Sequence, residues 1–180
     1  MAGTETEGDE MTAHRAELVA AMSVYRAARR DFLEALGIPI SNRDPLAEFS
    51  ERLVTELVGG RLADSRVAKG YDVIDTQECK IQVRYLANPE GRWINEHLVK
   101  FDEGVDFYAL VIVEALEPRA VILFARQTLQ DVCVLLGKRH PNQDVTLQLT
   151  QLNVKALLAD QAGFKALGVR TWREPEWADQ

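Results

Sequence analysis

The residues of this chain whose types and spacing suit chemistry lie between Lys69 and Leu86, in KGYDVIDTQECKIQVRYL. Alternation with period 2 on either side of Thr76-Gln77-Glu78 predicts two strands, Tyr71–Asp75 and Cys79–Leu86, joined by a tight turn. With the turn centred on Gln77, Asp75 faces Cys79 and Asp72 lies directly opposite Gln82. Opposed residues of an antiparallel pair project from the same face, and so does Arg84, two positions further on. An acid, an amide and a guanidinium then share one face, while Val73, Ile81, Val83 and Tyr85 share the other. A one-residue slip of register would undo that placement.

A carboxylate beside an amide oxygen and a fixed cation suits metal-assisted cleavage of a phosphodiester. Carboxylate and amide oxygens are hard ligands for Mg2+ (or Mn2+), which keeps water and phosphate in its remaining positions. The metal lowers the pKa of its bound water, and a neighbouring cation stabilises the charge that develops on the phosphate. Asp72, Gln82 and Glu48, the last on a preceding helix, are the candidate metal ligands, and Arg84 is the candidate phosphate cation. Each also has a plainer explanation. Asp72 fits a strand-end acid near a turn, and Glu48 fits a solvated helix residue among Glu51 and Glu56. Arg84 fits a surface cross-strand partner of a nearby acid.

The remaining inventory is thin. His97 and His140 have no third ligand at metal spacing and read as loop or capping residues. Trp93, with Arg92 and Asn95, belongs to a long loop that suits either a DNA groove or half-buried packing. Neither Cys79 nor Cys133 has a histidine nearby in sequence, and the two give no disulfide framework. No GxSxG elbow, GxGxxG or Walker loop occurs, which argues against a serine hydrolase or a nucleotide-dependent enzyme.

Helices and strands must position these residues. From Thr12 to Leu36, Leu18, Met22, Tyr25, Ala28, Phe32, Leu33 and Leu36 recur at helical spacing, and Gly37 and Pro39 end the run. Asn42 to Val58 predicts a second helix with Asp44 as N-cap, Pro45 in the first position and Gly59-Gly60 as the stop. Arg61–Arg66 suggests a short strand. Phe107–Ala115 and Ala120–Arg126 are near-continuous apolar strands of the kind buried on both faces. A helix at Gln127–Leu136, a short strand at Val145–Leu149 and short helices at Val154–Leu158 and Ala162–Leu167 follow. The stretch from Trp172 onward shows little pattern. Helix, strands, then helix is an α/β layer architecture.

The 180 residues, 47% hydrophobic and 27% charged, describe one globular domain with an added arm. The expected organisation is a disordered acidic tail at 1–10, a helical arm at 11–40 and the domain at 41–180. The net charge of −7 argues at first against nucleic acid, but residues 1–10 carry −4 of it. Residues 41–100 hold nine Lys or Arg against ten Asp or Glu, a net of −1, so the middle of the chain is nearly balanced. Apolar runs are too short to cross a membrane, and the polar N-terminus is no secretory signal, so a cytoplasmic protein is expected.

Three segments in order resemble the PD-(D/E)xK nuclease superfamily, in particular a small bacterial branch with an NPLGDYAEWLV-type helix, then KGYDV, then VQVK. Here they read Arg43-Asp44-Pro45-Leu46-Ala47-Glu48-Phe49, Lys69-Gly70-Tyr71-Asp72-Val73 and Ile81-Gln82-Val83-Arg84. The resemblance spans roughly Asn42 to Asn142. It implies a restriction-endonuclease-like αβββαβ core and metal-dependent cleavage of DNA, double-stranded DNA foremost. Glu48 matches the helix acid, Asp72 the metal-binding Asp, and Gln82 the position usually held by Asp or Glu. Arg84 stands where the catalytic lysine belongs. Arginine stays protonated and grips phosphate bidentately, so it does not serve as an acid or base as lysine does. Two functions follow: a divalent-metal-dependent endonuclease impaired by Arg84, or a noncatalytic DNA-binding or protein-interaction module that keeps the fold. Nucleases acting on duplex DNA commonly work in pairs, and the apolar stripe of the first helix suits a homodimer.

Overall fold

The computed structural model describes residues 4–64, 70–88, 97–100, 104–137, 146–159 and 161–174. Trp93, His140 and Lys69 lie outside the described residues. Residues 1–48 and 49–180 form two compact units.

The first unit is dominated by α1, Thr4–Ala35. It begins ahead of Thr12 and so takes in residues 4–10 of the acidic segment that the composition suggests is a disordered tail. The helix stops as its sequence dictates. The Ile38 N–H donates to the Leu33 carbonyl and the Gly37 N–H to the Glu34 carbonyl, both at 2.9 Å, and Pro39 follows. Leu33 is fully buried, whereas Leu18, Met22 and Tyr25 are all more than half exposed. The Arg29 guanidinium donates to the carbonyls of Ser41 and Arg43 at 3.0 Å each, tying the following loop to the helix. Helix α2, Pro45–Val58, then starts on the expected cap, with Asp44 Oδ1 accepting the Leu46 N–H at 3.0 Å.

In the second unit, the rest of α2 covers one face of a six-stranded sheet. Val54, with Leu53, Leu57 and Val58, packs with Val73, Ile81, Val83, Ala109, Val111, Val121 and Leu123. Gly60 follows the helix because nothing larger fits: a Cβ there would lie 2.2 Å from the Ile74 carbonyl oxygen. The strands are β1 (Arg61–Leu62), β2 (Val73–Ile74), β3 (Lys80–Asn88), β5 (Phe107–Glu114), β6 (Glu117–Ala125) and β8 (Arg170–Arg173), side by side in that order. β3 and β5 run parallel, and every other neighbouring pair is antiparallel. A separate two-stranded ribbon pairs β4 (His97–Lys100) with β7 (Thr146–Leu149). The second face of the sheet, through Tyr108, Leu110, Ile122 and Phe124, is buried with residues of α3 (Leu129–Leu135), α4 (Gln151–Ala159) and α5 (Gln161–Ala166). Residues of β5 and β6 are thus covered from both sides, which explains their continuous apolar runs.

The fold is mixed α/β. Its main sheet is six-stranded and mixed, with helices among the strands. Among the described residues, the crossover from β3 to its parallel neighbour β5 carries the strand β4 where the expected αβββαβ order has a helix. Three other details depart from expectation. β6 begins at Glu117, three residues before Ala120, because Ala115 and Leu116 take φ of 51° and 64° and turn the hairpin in two residues. His97 begins β4 instead of lying in a loop, and Arg170–Arg173 forms the sixth strand of the main sheet in a stretch whose end showed little pattern.

Candidate functional site

Asp72, Gln82 and Arg84 meet where β2 leaves the edge of β3. The ladder pairs Val73 with Ile81 and Ile74 with Lys80, the register expected from a turn centred on Gln77. The Asp75 N–H donates to the Cys79 carbonyl at 3.0 Å, and Asp75 Oδ1 accepts the Gln77 and Cys79 N–H groups, so that carboxylate holds the turn. Asp72, however, does not extend the ladder to Gln82. Its N–H donates at 2.9 Å to the carbonyl of Ile81, the residue already paired with Val73. Gly70, at φ 71°, a backbone region that glycine enters freely, lies two residues before it.

β3 therefore presents Val83 to an edge with no β2 residue beside it, and side chains satisfy its backbone instead. The Val83 N–H donates to Asp72 Oδ2 at 2.8 Å. The Val83 carbonyl accepts a hydrogen bond from Arg84 Nη1 at 3.0 Å, and the same nitrogen lies 4.0 Å from Asp72 Oδ2. Gln82 Nε2 donates to the Gly70 carbonyl at 3.1 Å, fastening the chain just ahead of Asp72. Asp72 is 7% exposed and Gln82 9%, whereas the Arg84 side chain is 47% exposed. The buried carboxylate thus has a charge-assisted N–H bond and a half-exposed guanidinium beside it.

Glu48 belongs to the first unit. It is not a solvated helix residue: it is 1% exposed, with Oε1 3.1 Å from Arg43 Nη1. Sequence reasoning missed Arg43 as its partner, because a spacing of i, i+5 carries no helical pairing signal. It also missed Asp106, whose Oδ2 accepts the Lys80 N–H and whose own N–H donates to the Lys80 carbonyl, both at 2.8 Å, anchoring the start of β3.

Magnesium gains most from carboxylate oxygens at about 2.0–2.1 Å in near-octahedral array. Among the described residues of β2 and β3, the face of Gln82 and Arg84 offers the Asp72 carboxylate, and that group already accepts the Val83 N–H and has the Arg84 guanidinium beside it. Among the described residues, no group of three or more His, Cys, Asp or Glu side chains is placed to hold a metal ion. The residues present do not fit a bound magnesium in this arrangement.

Three groups at the hairpin are perturbed. Glu78 and Arg61 share two hydrogen bonds of 2.8 Å. That bonding, more than charge alone, holds the Glu78 carboxyl below its ordinary range and raises Arg61. Burial, then the charges of Asp75 and Asp106, push the Cys79 thiol up, which disfavours the nucleophilic thiolate.

No family model matches the chain, and no curated protein matches it either. Among the described residues, no helix is long and apolar enough to cross a membrane.

Proposed function

We propose that this chain is a DNA-binding module that keeps a nuclease-type hairpin but does not cleave. The observation that carries the proposal is the position of Arg84, whose guanidinium lies on the Val83 carbonyl and beside the Asp72 carboxylate. A guanidinium has five N–H donors, and the Val83 carbonyl takes one of them. The remainder suit a phosphate oxygen of a duplex backbone, which arginine recognises bidentately. Affinity for DNA would then be local, electrostatic and weakened by salt, in keeping with a chain of net charge −7.

The second reading is a magnesium- or manganese-dependent endodeoxyribonuclease with its site at Asp72, Gln82 and Arg84. The hairpin register favours it, because Asp72, Gln82 and Arg84 converge on one short stretch of sheet edge. Plasmid nicking with magnesium and with manganese separates the two. The module predicts no cleavage by the wild type, by Arg84→Lys or by Arg84→Lys with Gln82→Glu. The nuclease predicts that both substitutions raise cleavage and that Asp72→Ala abolishes it in every background. Cleavage created by Arg84→Lys and lost with Asp72→Ala would replace the module with the nuclease.

A homodimer through α1 accompanies this proposal, since two copies would present Arg84 to a duplex twice. Leu33 is buried, so the stripe proposed for the interface is Leu18, Met22 and Tyr25.

A further inference from the structure

We infer that the β8 edge of the sheet carries a pocket for a small organic anion, a carboxylate or phosphate monoester on an apolar body. The pocket has a volume of about 320 Å3 and lies where residues of α4 and α5 meet β8. Small-molecule sites run from about 300 to 1,000 Å3, so it suits a compact ligand. Leu157, Phe164 and Val169 form its apolar wall. Each is at most 4% exposed and belongs to the core beneath the sheet, so the wall is fixed. Half-buried Trp172 adds an aromatic surface beside Lys165 and Arg170. The Arg170 guanidinium is held by rings: its carbon lies 5.6 Å from the Phe107 centroid and 5.7 Å from that of Trp172. Stacking on rings leaves the in-plane N–H fork of arginine available to a carboxylate or phosphate.

Charge decides the sign of the ligand. The chain is acidic overall, at −7, yet α4, α5 and β8 hold Lys155, Lys165, Arg170 and Arg173 and no acid. Of the acids that flank these elements, Asp160 lies outside the described residues, and Glu174 accepts a hydrogen bond from Arg119 Nη1 at 3.1 Å. Asp106, whose charge reaches Cys79 as that of Arg170 does, accepts the Lys80 N–H. Among the described residues, neither Lys165 nor Arg170 has a carboxylate at ion-pair distance. A positive rim over a dry wall selects a molecule that is anionic at one end and apolar at the other. The pocket shares no residue with the Asp72–Arg84 edge, so it stands apart from the DNA reading.

The test is a titration of the full chain, labelled with nitrogen-15, with phenyl phosphate and with benzoate, followed by amide and indole N–H shifts. At least one of the two should bind saturably at about millimolar concentration or below, and the tighter one identifies the head group. The shifts should centre on Phe164, Val169, Arg170 and the Trp172 indole. Benzyl alcohol, which lacks the charge, and inorganic phosphate, which lacks the apolar body, should each bind at least about tenfold more weakly. Arg170→Gln and Lys165→Gln should each weaken the preferred probe at least about threefold. Lys165 is exposed, so its variant keeps the test decisive if Arg170→Gln disturbs β8. The inference is overturned if neither anion saturates, or if the shifts centre elsewhere. It is equally overturned if benzyl alcohol or inorganic phosphate binds as well as the anions, or if Lys165→Gln leaves affinity unchanged.

Discussion

Asp72 is a structural residue before it is anything else, and its energetics can be separated from any chemistry. Its carboxylate is the acceptor for a buried backbone N–H that the sheet no longer satisfies. Truncation leaves the Val83 N–H without that acceptor and takes the neighbouring anion from Arg84. The cost of an orphaned buried donor is about 1–3 kcal/mol. Asp72→Ala should accordingly lower the urea midpoint by an amount in that range, and Asp72→Asn, which keeps an acceptor oxygen, should lower it less. Residues held for catalysis behave differently, because their removal commonly leaves stability unchanged or improved. An Asp72→Ala protein as stable as its parent would show that the carboxylate is not a backbone partner. Gln82 belongs to the same lacing through the Gly70 carbonyl, so the three residues of the face are coupled in structure whatever their function.

At the scale of elements, the hairpin depends on a close approach that leaves no room for a side chain. Gly60 sits against the backbone of Ile74 and Asp75, where a Cβ would meet atoms at 2.2 and 3.0 Å. Gly60→Ala should destabilise the chain by more than about 2 kcal/mol through loss of the β1–β2 pairing, measured by chemical unfolding. An unchanged midpoint would mean that the short edge strand contributes nothing. Legibility in the sequence follows the same physics. The helix α2 was readable because Asp44, Pro45 and Gly59-Gly60 bracket a 3.6-residue period, and β2 and β3 were readable because period 2 flanks a turn. The β5–β6 hairpin was readable as strands but not in its turn, since Ala115 and Leu116 are not residues that normally mark positive φ. β8 was missed because Arg-Thr-Trp-Arg has no alternation of apolar and polar residues, and its place is fixed by pairing with β6. At the site, the common location of Asp72, Gln82 and Arg84 was legible. The hydrogen bonds were not: a departure from the ladder at Asp72 is decided by the backbone near Gly70, which no side-chain period records.

For the molecule as a whole, partner and assembly are where charge and exposed apolar surface matter. Leu18, Met22 and Tyr25 expose 56%, 63% and 56% of their surface on α1, more than a lone helix gains by leaving in water. Light scattering at micromolar concentration should give a dimer, and Leu18→Lys combined with Tyr25→Lys should give a monomer with unchanged helix content. A monomeric wild type would remove the proposed interface. Net acidity sets the expectation for DNA: binding must come from local phosphate contacts, so its logarithm should fall linearly with the logarithm of salt, with a slope set by the number of those contacts. The most direct measurement is fluorescence anisotropy of a labelled duplex titrated with the full chain in EDTA, for wild type and Arg84→Gln. The account predicts salt-sensitive binding by the wild type without any divalent metal, weakened about tenfold by Arg84→Gln, or about 1.4 kcal/mol. Binding that appears only when magnesium or manganese is supplied, or that is the same with Arg84→Gln, would contradict it.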